Sequence, residues 1–175
     1  AIELSNGNIL SWGNDGKINL WSPEGLLITS FIGHSASIKG VIEMRNGRIL
    51  SWSDDSTLKL WDNKGSLYTT LSGHDDSIEN VIEISNNRIL SWSLDNTLRL
   101  WDSDGNLQTI FSGHTGWIRD AIELTNGDIL SSSADNTLRL WEIDRKTKTL
   151  FLGHSDTVLG AVELSDNRIL SWSYD

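Results

Sequence analysis

The sequence predicts an all-β fold, a β-propeller of four-stranded antiparallel blades, and three observations carry that expectation. A block of forty residues recurs, opening at Ala1, Val41, Val81, Ala121 and Ala161, and residues 41–80 match residues 81–120 at 23 of 40 positions. Within each copy apolar residues alternate at period two between turns rich in Gly, Asn and Asp. Nowhere does an apolar pattern hold a helical period for ten residues. A strict internal period marks a repeat architecture, and 175 residues at this period make about 4.4 blades. The domain organisation is therefore one array, a partial propeller over residues 1–175, with the fifth copy incomplete.

The second copy shows the elements in order. Strand A is expected over residues 38–44, followed by the turn Arg45-Asn46-Gly47. Strand B covers 48–53 and ends at Asp54-Asp55-Ser56. Strand C covers 57–61, with Leu58 and Leu60 on one face and Thr57, Lys59 and Trp61 on the other. Asn63-Lys64-Gly65 then turns the chain into strand D over 67–71. Gly, Asn and Asp suit these turns because they tolerate tight or left-handed backbone. One four-stranded sheet cannot bury both of its faces. Stacking such sheets around an axis buries the faces between neighbours, which is the logic of a propeller.

Charge and composition exclude several functions. There are 14 basic and 24 acidic side chains, a net charge of −10. An acidic chain does not attract a polyanion, so no nucleic-acid partner is expected. The chain has no cysteine, which excludes disulfides and thiolate metal sites and leaves the redox compartment open. No apolar run reaches the length of a membrane helix, so no membrane partner is expected, and no signal-peptide pattern appears. The cytoplasm is slightly favoured as the compartment. The first residue is Ala1 rather than Met, which reads as a missing native N-terminus.

Gly-His stands at 33–34, 73–74, 113–114 and 153–154, before each strand A. Trp61, Trp101 and Trp141 follow the first three histidines after 27 residues. Trp-Asp stands at 61–62 and 101–102, drifting to Trp-Ser at 21–22 and Trp-Glu at 141–142. This pattern resembles the WD-repeat family, whose signature runs from Gly-His to Trp-Asp on a propeller blade. The resemblance implies a hydrogen-bonded structural network in each blade. Its members would be His34, Ser51, Asp55 and Trp61; His74, Ser91, Asp95 and Trp101; and His114, Ser131, Asp135 and Trp141. Partial sets would be Ser11, Asp15 and Trp21 in the first copy, and His154, Ser171 and Asp175 in the fifth.

Ser, His and Asp together are also the parts of a nucleophilic triad. The set recurs in every blade with a Trp attached, whereas an active site normally occurs once, so the structural reading is the stronger. All four histidines are used by the motif, leaving none for a metal or a base, and the acidic turns lack the ligand spacing of a calcium loop. No catalytic residue, metal or cofactor is expected. Glu3, Glu43, Glu83, Glu123 and Glu163 recur on strand A. They could ring the central channel, but like charges repel, so they are expected to reach solvent near a strand end. Trp12, Trp52, Trp92 and Trp172, with Ser132 breaking the series, are expected to pack between blades.

Positions where the copies disagree point to partner binding. Trp117 stands where other copies have Ser37, Ser77 and Thr157, so it is either a binding hot spot or local packing. Around it Ser35, Ala36, Asp75, Asp76, Thr115, Gly116, Ser155 and Asp156 vary. At the other end Arg145, Lys146 and Lys148 form a basic turn. Fewer than five blades do not close a ring. The chain reads as a fragment of a longer propeller, as part of an array, or as half of a two-copy ring of eight blades. The expected function is a non-catalytic scaffold binding another protein through its loops, the alternative being self-association.

Overall fold

The computed structural model describes residues 1–143 and 147–175. The first sheet runs β1 (Ile2–Glu3), β2 (Ile9–Trp12), β3 (Lys17–Trp21) and β4 (Leu27–Ile32). The second runs β5 (Ile38–Glu43), β6 (Ile49–Ser53), β7 (Thr57–Trp61) and β8 (Leu67–Ser72). The third runs β9 (Ile78–Glu83), β10 (Ile89–Ser93), β11 (Leu98–Trp101) and β12 (Leu107–Phe111). The fourth runs β13 (Ile118–Glu123), β14 (Ile129–Ser133), β15 (Leu138–Glu142) and β16 (Thr147–Phe151), and a final pair joins β17 (Val158–Glu163) to β18 (Ile169–Ser173). Every sheet is an antiparallel meander in sequence order. A single 3-10 turn, Ser85–Asn87, is the one helical element among the described residues. It forms where the third copy has Asn-Asn in place of Asn-Gly, and Asn86 and Asn87 take the left-handed backbone (φ 60 and 54).

The register repeats with the sequence. Ile49 faces Trp61 and Leu50 faces Leu60 in the second sheet, as Ile89 faces Trp101 and Leu90 faces Leu100 in the third. Strand C is buried on both faces, not on the Leu58/Leu60 face alone: Lys59 is buried too, with its ammonium donating to Thr70 at 3.0 Å.

The core lies between sheets, not within them. Leu10, Ile18, Leu20 and Phe31 of the first sheet pack on Ile38, Val41, Ile49 and Trp61 of the second. Leu50, Leu58, Leu60 and Leu71 of the second meet Ile78, Val81, Ile89 and Trp101 of the third. Leu90, Leu98, Leu100 and Phe111 meet Ile118, Ala121, Ile129 and Trp141. Removing this apolar area from water is what holds blade to blade. Trp52 and Trp92 are buried in these seams, as the alternation predicts. Trp172, expected in a seam as well, is 46% exposed on the open side of β17–β18.

Four of the five strand-A glutamates correct the expectation that they reach solvent, while Glu3 is exposed as expected. Glu43 accepts hydrogen bonds from the Ser5 backbone N–H at 2.7 Å and the Ser5 hydroxyl at 2.8 Å. Glu83 accepts from Arg45 N–H (2.9 Å), Glu123 from Ser85 N–H (2.8 Å) and its hydroxyl, and Glu163 from Thr125 N–H (2.7 Å). Each carboxylate spans 38 residues back to the A–B turn of the preceding blade. The turn amides there need acceptors, and a carboxylate supplies the strong, charge-assisted kind.

Candidate functional site

The second, third and fourth blades each hold a buried chain of four side chains. In the second, Trp61 Nε1–H donates to Ser51 Oγ at 2.9 Å. Ser51 Oγ lies 2.8 Å from His34 Nε2, and His34 Nδ1 lies 2.8 Å from Asp55 Oδ2. The carboxylate accepts a hydrogen bond from Nδ1–H, so Nε2 accepts from the serine hydroxyl. Asp55 also accepts from Ser35 N–H (2.9 Å), Thr57 N–H (3.0 Å) and Thr57 Oγ1–H (2.6 Å). The third blade repeats this through Trp101, Ser91, His74 and Asp95 at 2.9, 2.9 and 2.7 Å. The fourth repeats it through Trp141, Ser131, His114 and Asp135 at 2.9, 2.8 and 2.8 Å.

Strand geometry positions these groups. Serine on strand B lies two residues from the one that faces the strand-C tryptophan, as Ser51 does from Ile49, which faces Trp61; the His comes from the D–A loop, and the Asp is the second residue of the B–C turn. The turn's next residue takes left-handed backbone in three blades, at Ser56, Asn96 and Asn136 (φ 63, 64 and 68). Burial pushes the His34 and His114 imidazoles below their ordinary value, against the pull of Asp55 and Asp135. For Asp55 and Asp135 burial acts to raise the carboxyl. The donors from Thr, backbone N–H and His outweigh it and hold both below the usual carboxylate range, and Asp95 falls well below it. The serine oxygen is fully buried and carries an indole N–H, so this chemistry is hydrogen bonding within the blade, repeated from blade to blade.

The terminal blades carry complementary parts. Trp21 donates to Ser11 at 2.8 Å, while Asp15 Oδ1 accepts from Lys17 N–H at 3.2 Å. In the fifth copy His154 Nε2 lies 2.9 Å from Ser171 Oγ and its Nδ1 3.1 Å from Asp175.

The loop face is where the copies differ. Ser37 donates to Asn14 at 2.9 Å and Ser77 to Asp54 at 2.5 Å, each tying a D–A loop to the B–C turn of the preceding blade. At the next junction the polar pair becomes Leu94 and Trp117, and the indole is 53% exposed. Asp75, Asp76 and Thr115 are exposed on the same face, where Lys39 bridges Asp54 (3.3 Å) and Glu79 (3.8 Å). Arg145 and Lys146 lie outside the described residues. Sequence reasoning missed the backward-reaching glutamates. Their forty-residue period singled these residues out, but nothing in the period says which turn each carboxylate reaches.

Sequential antiparallel four-stranded sheets joined through apolar seams define a β-propeller class built from repeats. The family described as "WD domain, G-beta repeat" matches residues 25–62, 65–102 and 105–142. The chain belongs to that family. A solved structure titled as the crystal structure of the WD40 β-propeller domain of Doa1 is similar at 25% identity, with a TM-score of 0.74. The match covers 97% of this chain and 58% of that one, so this chain spans little more than half of its length. No curated protein matches.

Proposed function

We propose that the chain is a non-catalytic interaction scaffold, and that it takes a partner protein on the loop face around Trp117. Domains of this family are protein-interaction scaffolds in general. The observation that carries the reading is the replacement at one junction of a blade-tying hydroxyl by a half-exposed indole. Large aromatics at exposed loop positions are where binding energy concentrates. Asp75, Asp76 and Thr115 form the polar surround. The Trp–Ser–His–Asp chains serve as internal clamps that hold the loops in place.

Replacing Trp117 with Ser, the residue at the equivalent positions 37 and 77, tests this. Partner capture should fall while the urea midpoint stays unchanged. A lowered midpoint with undiminished capture makes Trp117 a packing residue and ends the reading.

A second reading is self-association. The apolar groups left open near the last pair support it: Leu170 and Trp172 of that pair and Phe151 of the fourth sheet are all exposed, and such surface favours contact with a complementary face.

A further inference from the structure

We infer that the segment taken on the loop face carries a carboxylate side chain beside a large apolar one, with Arg119 receiving the carboxylate and Trp117 the apolar group. This rests on the reading of Trp117 as a partner site and names the chemistry of what it takes.

The forty-residue period lines up the positions around this spot. In the second blade Lys39, at the start of strand A, lies 3.3 Å from Asp54 of the B–C turn and 3.8 Å from Glu79 of the next blade. Asp54 also accepts from the Ser77 hydroxyl. Cation, acids and hydroxyl there satisfy one another. Two copies on, Arg119 stands at the Lys39 position, but Ala134 replaces Asp54 and Leu159 replaces Glu79. Arg119 has no ion pair and no side-chain hydrogen bond among the described residues. The nearby acids are engaged elsewhere. Glu79 lies against Lys39, and Asp120 turns its carboxylate to the Ala121 N–H at 2.9 Å. Asp135 is held by His114, the Thr137 hydroxyl and the Thr115 N–H.

Backbone geometry sets the cation beside the indole. Trp117 and Arg119 flank Ile118, which is buried, and both are exposed. The Ala134 N–H donates to Trp117 O at 2.9 Å, which fastens the start of strand A to the B–C turn. The register of β13 on β14 slips between Ile118 and Asp120, so Arg119 is the bulged residue, and a bulge re-aims the side chain it carries. A guanidinium presents paired N–H donors in a planar fork that matches a carboxylate. With Ala134 and Leu159 where acids stood, a ligand's carboxylate meets no competitor from this chain at Arg119. The indole two residues away takes an apolar side chain of the same segment. A net charge of −10 does not by itself attract an acidic partner, so recognition comes from this one sector of the loop face. Basic groups of a partner find their counter-charges one junction away, at the exposed Asp75 and Asp76.

Three blocked, dye-labelled decapeptides test this by fluorescence polarisation. Each displays Phe in a Gly-Ser background, with Glu, Gln or Lys two residues from the Phe. The Glu peptide should bind about threefold or more tighter than the Gln peptide, and the Lys peptide more weakly than either. Arg119→Glu should reverse that order, and Trp117→Ser should weaken all three. Ala134→Asp gives Arg119 the acid that Lys39 has, and should erase the preference for Glu with both binding residues still in place. Urea midpoints of the three variants check that the fold is retained. Binding that depends on Trp117 but shows no preference for Glu, or a preference that survives Arg119→Glu, overturns the carboxylate inference and leaves Trp117 as a partner contact. Binding indifferent to Trp117→Ser overturns both. Failure of all three peptides to bind at millimolar concentration overturns the carboxylate inference alone, because loss of partner capture on Trp117→Ser still makes the indole a contact.

Discussion

At the scale of the residue, stability is concentrated in buried polar chains whose members leave one another unsatisfied when removed. His74→Ala strips Ser91 and Asp95 of their shared partner and should lower stability by about 1–3 kcal/mol in denaturant melts. The same groups set a pH response. His34 and His114 are held below the ordinary value near 6.5 in the fold, so the unfolded chain binds their protons first. Stability should be full above about pH 6.5 and decline as pH falls below it. Asp55 and Asp135 are held below the usual value, so their contribution is full above about pH 4 and is lost as pH falls from there towards the folded values. Urea midpoints measured from pH 7.5 to 3 should therefore fall in two stages. A flat profile between pH 7 and 5 removes the histidine part. Asp120 behaves in the opposite sense. Burial raises its carboxyl, so ionisation costs stability at neutral pH and Asp120→Asn should raise the midpoint there.

At the scale of the element, much was legible from sequence. Period-two alternation placed the strands because strands of the inner sheets have one face in each of two seams, and side-chain direction follows the pleat. The turns were legible because Gly, Asn or Ser must accept left-handed backbone at one fixed position. The Trp–Ser–His–Asp members were named through a family resemblance joined to fixed spacing. The glutamate contacts were not legible, since they depend on how far one sheet stands from the next. No period within a single chain direction reports that distance. Trp172 shows the same limit: alternation assigned it to a face, but a face is buried only where a neighbour covers it. Glu123→Ala leaves the Ser85 amide and hydroxyl without their acceptor and should cost about 1–2 kcal/mol, with Glu123→Gln costing less.

At the scale of the whole molecule, the array is quasi-one-dimensional, so local stability follows how many neighbours each blade has. Amides of β6, β7, β10 and β11 have covered sheets on both sides and should exchange slowest with deuterium. Those of β1 and β18 should exchange fastest. Uniform protection along the chain would show that the blades unfold as one unit instead.

The backward reach of the glutamates gives the array a polarity. A carboxylate on one blade fastens only to the turn of the blade before it, so the two sides of a blade are as unlike as a hook and an eye. Any further blade, from whatever source, can be added in only one sense. A partner presenting the same side twice would bring hook to hook and leave both turns unfastened.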